Sequence, residues 1–111
     1  MKITTIATAR IRKEFFQLIE LGIKKYEVRS ESLEGVDAMY FLDDKTDKLL
    51  TIRLVESVEV VNRSDDARVL KLSAIEDKEF RVLFPSPIDG GPSSLWIAKL
   101  GPAIDLNVLL G

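Results

Sequence analysis

The residues best able to carry chemistry are concentrated in one octapeptide, Gly22-Ile23-Lys24-Lys25-Tyr26-Glu27-Val28-Arg29. Lys24, Glu27 and Arg29 set two cations and a carboxylate within six positions. On an extended strand, side chains two apart share a face, so Glu27 and Arg29 project together. Lys24 is out of that phase. It joins them only if the strand proper starts after it, which the freedom of Gly22 to turn the chain permits. Converged in a cleft, the three groups can contact phosphate, ribose hydroxyls or the edge of a base, because ionised donors and acceptors make the stronger hydrogen bonds. The plain structural alternative is that Glu27 and Arg29 form a half-buried ion pair that ties the sheet to its helix.

Arg10, Arg12, Lys13 and Lys25 lie near this segment and extend it as a phosphate-tracking patch, the alternative being solvated helix charges. Tyr26 and the single tryptophan, Trp96, are candidates for stacking on a base, and equally for the core. The charge is uneven. Residues 1–29 hold seven Lys/Arg against three Glu, a net +4, and the remainder holds nine against fifteen Asp/Glu, a net −6, giving −2 for the whole chain. A local basic face on an acidic domain suits an anionic partner.

Composition removes other chemistries. With no Cys there is no disulfide framework, thiolate nucleophile or zinc ribbon, and with no His there is no Ser-His-Asp catalysis and no His-ligated metal. Asp43, Asp44 and Asp47 lack the pattern of a calcium loop and read as a hairpin tip, so neither metal nor cofactor is expected. Catalysis, if present, falls to Lys, Arg, Asp, Glu, Tyr, Ser, Thr or the backbone. No apolar run nears the roughly 20 residues needed to span a bilayer, and Ile3 to Ala9, cut off by Arg10, reads as a strand and not a signal peptide. A soluble chain in a reducing cytoplasm, without a membrane partner, is the expectation; the oligomeric state stays open.

The elements that must position the octapeptide follow from periodicity. Ile3 and Ile6 suit a first strand. Ile11, Phe15, Leu18 and Ile19 recur at helical spacing, leaving Arg12, Lys13, Glu14 and Gln17 in water, and Gly22 stops that helix. Lys24 to Arg29 reads as the second strand, Ala38 to Leu42 as the third, and 43–48 as a hairpin loop. From Leu49 to Val61 the even positions Ile52, Leu54, Val58 and Val60 are apolar and Glu56 is not, which predicts a long strand bulged near Glu56. Asp65 to Leu72 is a weak helix. Ser73-Ala74-Ile75-Glu76 fits a capping box opening another helix, with Phe80, Leu83 and Phe84 on its buried side and Pro85 at its end. Leu95 to Leu100 closes the sheet. At 111 residues this is one domain, spanning 1–111 and burying roughly two-thirds of its surface. Short strands interleaved with few amphipathic helices indicate an α+β fold with about five to six strands and two or three helices.

The octapeptide resembles the G-x-K-x-x-E-x-R signature of the ASCH family, small PUA-like β-barrels, with Gly22, Lys24, Glu27 and Arg29 at its four positions. Phe15 to Ile19, the Gly35-Val36-Asp37 turn, the long strand to Val61, the Ser73 helix and the last strand also fall in family order. The resemblance implies a PUA-like barrel and an RNA- or nucleotide-binding cleft lined by Lys24, Glu27 and Arg29. One bacterial branch of the family hydrolyses acetylated cytidine with the motif lysine, helped by a threonine where this chain has Glu27 and by a glutamate near the position of Leu70. That branch implies a second reading, a hydrolase of a modified nucleoside or of RNA, with Lys24 and Glu27 as catalytic groups. Two of its three groups are replaced here, and Glu56, Glu76 and Glu79 are the acids that would substitute. A third reading is a protein-interaction module, docking through the apolar tail Ile104 to Leu110.

Overall fold

The structure, a computed structural model, describes residues 3–107. Its elements run β1 (Ile6–Ile11), α1 (Lys13–Glu20), β2 (Tyr26–Arg29), β3 (Ala38–Asp43), β4 (Leu49–Asn62), α2 (Asp66–Ser73), α3 (Asp77–Leu83), a 3-10 turn (Pro87–Asp89) and β5 (Ser94–Ile104). The five strands form one mixed sheet, in the order β1-β3-β4-β5-β2, curled into a half-barrel. Only the β1–β3 pair among them is parallel. The strands furthest apart in this order, β1 and β2, are the two edges. The α+β expectation holds, with five strands and three helices among the described residues. None of these helices is long and apolar enough to cross a membrane.

The first strand starts later than expected because Asp37 captures the chain before it. The backbone N–H groups of Thr4 and Thr5 donate to Asp37 Oδ2 at 3.0 and 3.1 Å, so they are not free to join a ladder. Ile11, expected to open the helix, is the last residue of β1, opposite Asp43. Eight residues are too few for α1 to persist alone, so packing must hold it. Ile19 is buried, and Phe15 and Phe16 pack against the same cluster, around Ala9, Met39 and Phe41. Lys13, Glu14 and Gln17 face water as expected, but Arg12 is half-buried. The helix ends in a Schellman motif: Gly22 adopts φ +75° and its N–H donates to Ile19 O, while Ile23 N–H reaches Leu18 O. The carbonyl of Leu18 also accepts from Lys24 N–H at 3.0 Å, which aims the chain into β2.

Two compensating bulges shape β4. Between Arg53 and Val55 the extra residue is on β5; between Val55 and Ser57 it is Glu56, so the original register returns. Val55 and Val58, on either side of the Glu56 bulge, both pack against the first cluster; beyond it the ladder is regular, Val61 turns to the opposite face and a second cluster, and Val60 is 51% exposed. Gly101 faces this bend, where an added Cβ would lie 3.2 Å from Glu56 Cγ. The same geometry lets β5 run on to Ile104, past its expected end at Leu100. In β5 the side chains alternate cleanly: Leu95 and Ile97 join a second cluster with Val28, Val69 and Phe80, and Ala98 joins the first.

The capping box is not formed. Ser73 is the last residue of α2, and Ala74 leaves the helix in the left-handed region at φ +58°. The Ser73 hydroxyl donates back to Leu70 O and accepts from Ile75 N–H, and Glu76 itself precedes α3 without a side-chain cap. Phe80 is buried and Phe84 half-buried as expected, whereas Leu83 is 37% exposed.

Candidate functional site

Lys24 lies in the link between Gly22 and β2, just before the strand, and it is 2% exposed. Its Nζ donates to the Ser73 carbonyl at 2.7 Å. Burial pushes the ammonium below its ordinary pKa. The charge of Glu27 pulls the other way and that of Arg29 reinforces the fall. Desolvation outweighs the pull of Glu27.

Glu27 and Arg29 share one face of β2, while Tyr26 and Val28 pack into the second cluster. Glu27 is 6% exposed. Its Oε1 lies 3.4 Å from Arg29 Nε, close enough for an ion pair but not for an aligned hydrogen bond. Consequently both Glu27 Oε2 and Arg29 Nε are buried without a hydrogen-bond partner among the described residues. Arg29 also reaches across the gap between the two edge strands, where its Nη2 donates to the Arg10 carbonyl on β1 at 2.9 Å.

A cavity of about 230 Å³ opens at this seam. One wall is Arg10, Ile11 and Arg12, the facing wall is Lys24, Glu27, Val28 and Arg29, and Phe15, Ile75, Leu83 and Phe84 close it from the helices. Asp44 stands at its border. The structure thus brings Lys24, Glu27, Arg29, Arg10 and Arg12 to one place. Gly22, Lys13, Lys25, Tyr26 and Trp96 do not line it. Lys13 and Lys25 are exposed, and Trp96 packs against the first core cluster. Phe15 and Phe84 are the aromatic rings of the lining; sequence reasoning had assigned both to the core, where amphipathic periodicity places them.

Arg12 is committed. Its guanidinium pairs with Glu79 on α3 and lies 5.6 Å from the Phe15 ring centroid. That removes Glu79 from the acids available to Lys24. Glu56 pairs with Lys99, Glu76 is exposed outside the cavity, and Leu70 packs against the second cluster. Asp43 Oδ1 accepts the Lys45 and Thr46 backbone N–H groups, which is a turn-stabilising use of its carboxylate. No group of three metal-ligating side chains occurs among the described residues. Of the apolar tail, Leu106 is exposed, and residues 108–110 lie outside the described residues.

No model of a known family matches the sequence, and no curated protein matches it. Solved structures match the fold. The crystal structure of ASCH from Zymomonas mobilis is 16% identical and aligns over 93% of this chain and 75% of its own, with a TM-score of 0.69. A mutant form of that protein gives 0.70 at 15% identity, over 96% of this chain and 78% of the other. The hypothetical protein PH0355 gives 0.62 at 14% identity, over 91% of this chain and all of its own. The chain therefore has the ASCH fold.

Proposed function

We propose that this domain binds RNA or a nucleotide in the cavity between β1 and β2, reading a base edge with Glu27 and Arg29. The observation that carries this reading is that Glu27 and Arg29, two residues lining the cavity, each hold a buried polar atom, Oε2 and Nε, without a hydrogen-bond partner among the described residues. A buried carboxylate oxygen without a hydrogen bond costs about 1–3 kcal/mol or more, and a ligand N–H placed there recovers it. An acceptor beside a donor matches the mixed hydrogen-bonding edge of a base better than it matches phosphate alone. The volume of about 230 Å³ is below the roughly 300 Å³ at which drug-sized pockets begin, and suits one base with part of its sugar. Phe15 and Phe84 offer ring surface, and Arg10 supplies positive charge at the mouth.

The test is a titration of nucleoside 5′-monophosphates and a mixed-sequence single-stranded RNA against the native chain and Arg29→Ala. The expected loss on substitution is about 1–3 kcal/mol of affinity. Absence of binding to any of these by the native chain overturns the reading.

One observation favours hydrolysis instead: a buried lysine with a lowered pKa is a stronger candidate nucleophile or base than an ordinary one. Against it, Lys24 Nζ is engaged with Ser73, and the positions of the two helpers hold Glu27 and Leu70. The expectation is no Lys24-dependent release of cytidine when acetylated cytidine is followed by chromatography beside a Lys24→Ala control. Rapid release that the control lacks would make the domain an enzyme.

A further inference from the structure

Two more cavities flank this one. The first, of about 450 Å³, continues along the β1–β2 seam, where the buried Ala9, Leu33 and Met39 lie beside the polar Thr8, Glu31 and Ser32. Arg10 and Arg29 are the two residues common to both seam linings, so the cavities meet at this pair. The second, of about 500 Å³, lies between the end of α1 and the α2–α3 junction and is separated from the site by Phe15 and Ile75, which border both. Its lining includes Glu14, Glu76 and Glu79 and has no Lys or Arg. A polyanion is repelled at the glutamate end and drawn to the arginine end.

We infer that the cleft takes a single-stranded oligonucleotide of at least two nucleotides, one base in each seam cavity and the phosphodiester on the ridge formed by Arg10 and Arg29. This rests on the binding reading above and adds to it a second subsite, a phosphate position and a direction. The ridge suits a phosphate because Arg29, with Nη2 held by the Arg10 carbonyl, keeps Nη1 without a partner among the described residues. Arg10 is held by Asp47 at 2.8 Å, but both side chains are more than 60% exposed, and an ion pair so solvated yields readily to a phosphate oxygen. The hydroxyls of Thr8 and Ser32 and the carboxylate of Glu31 give the second cavity hydrogen-bonding groups for the edge of a base. Bases can enter both cavities only unpaired and splayed, which excludes a duplex. The glutamates beyond Phe15 and Ile75 keep the strand from continuing that way, so it extends from the first cavity toward the second.

Calorimetric titration of the full chain with the four nucleoside 5′-monophosphates and with dinucleoside monophosphates of the same bases tests this. Each dinucleoside monophosphate has a single phosphate with less charge than that of a mononucleotide, so any gain reports the second base. At fixed salt, the tightest dinucleotide is expected to bind at least roughly tenfold more tightly than the tightest mononucleotide. Thr8→Trp, placed on the exposed side of β1, fills the second cavity, and with it the ratio is expected to fall to within about twofold of unity. Ser32→Trp fills the same cavity from the loop after β2 and is read in the same way, and mononucleotide affinity reports whether either variant is folded. A ratio near unity in the native chain, or one that both tryptophans leave unchanged, overturns the second subsite while the first-cavity reading stands. If neither mononucleotide nor dinucleotide binds, both readings fall.

Discussion

Lys24 closes α2 from a distance of 49 positions: its Nζ lies 2.7 Å from the carbonyl of Ser73, one of the carbonyls that a helix C-terminus leaves without an intrahelical partner. A cation there also meets the negative end of the helix dipole. Lys24→Ala therefore removes a cap and the packing of a buried four-carbon stem. The expected loss is about 2–5 kcal/mol, the range for emptying a buried site of this size, read as a lower urea midpoint at unchanged slope. An unaltered midpoint would show that Ser73 has another donor.

The lowered pKa of Lys24 has a definite sign in stability. Between the folded value and the ordinary 10.5, the unfolded chain binds the proton and the folded chain does not, so stability rises with pH across that window. The penalty is complete below the folded value and vanishes above 10.5. Lys24→Met keeps the stem and removes the titration. Urea midpoints of the two proteins, compared from neutral to alkaline pH, should show the native chain gaining on the variant as pH rises; a gain by the variant refutes burial as the dominant effect.

Arg29→Ala leaves Glu27 buried without its ion-pair partner, with only the charge of Lys24 to act on it. A buried pair broken on one side loses about 3–5 kcal/mol at full burial, and less here because the Arg29 side chain is 24% exposed. Glu27→Gln in the Arg29→Ala background should restore part of that loss, and a double-mutant cycle by thermal unfolding measures the coupling. Additive effects would mean the pair contributes nothing to the fold and is available wholly to a ligand.

Asp37 governs how the chain enters β1. Its carboxyl sits below the ordinary 3.8 because the Thr4 and Thr5 backbone N–H groups and the Thr4 hydroxyl stabilise the charged form. The stability this supplies is present above 3.8 and is lost as pH falls through the lower folded value. Amide exchange at Thr4 and Thr5 should accelerate over that acid range relative to residues of β3, and Asp37→Asn should abolish the pH dependence. Protection that is indifferent to acid would exclude the carboxylate as the anchor.

Legibility followed the range of the interactions. The stop at Gly22, the 43–48 hairpin and the break at Glu56 are local, and each is written in residue type: a glycine for positive φ, an Asp/Lys/Thr cluster for a turn, a charge interrupting an apolar alternation. The meeting of Lys24, Glu27 and Arg29 at one cavity was readable in the same way, from period two and a glycine. The partner of Lys24 was not, because a backbone carbonyl carries no residue-type signal and only the tertiary fold brings Ser73 to it. Ser73-x-x-Glu76 had the letters of a capping box, yet Ala74 in the left-handed region ends one helix there before the next begins. The bulging of β4 was only half legible. One bulge is visible as Glu56, but its compensating partner is on β5, at Gly101 and Pro102, and a single strand does not announce what its neighbour does.

The position of β2 in the sheet also orders events in time. This four-residue strand pairs with β5 alone, opposite Trp96 to Lys99, although it lies in the first third of the chain. During synthesis from the N-terminus, β1, β3 and β4 can associate as they emerge, but Glu27 and Arg29 have no sheet to join until residues 94–104 are made. The cleft is thus the last part of the domain to acquire its shape. A nascent or truncated chain ending before Ser94 would hold the entire octapeptide and still present no site.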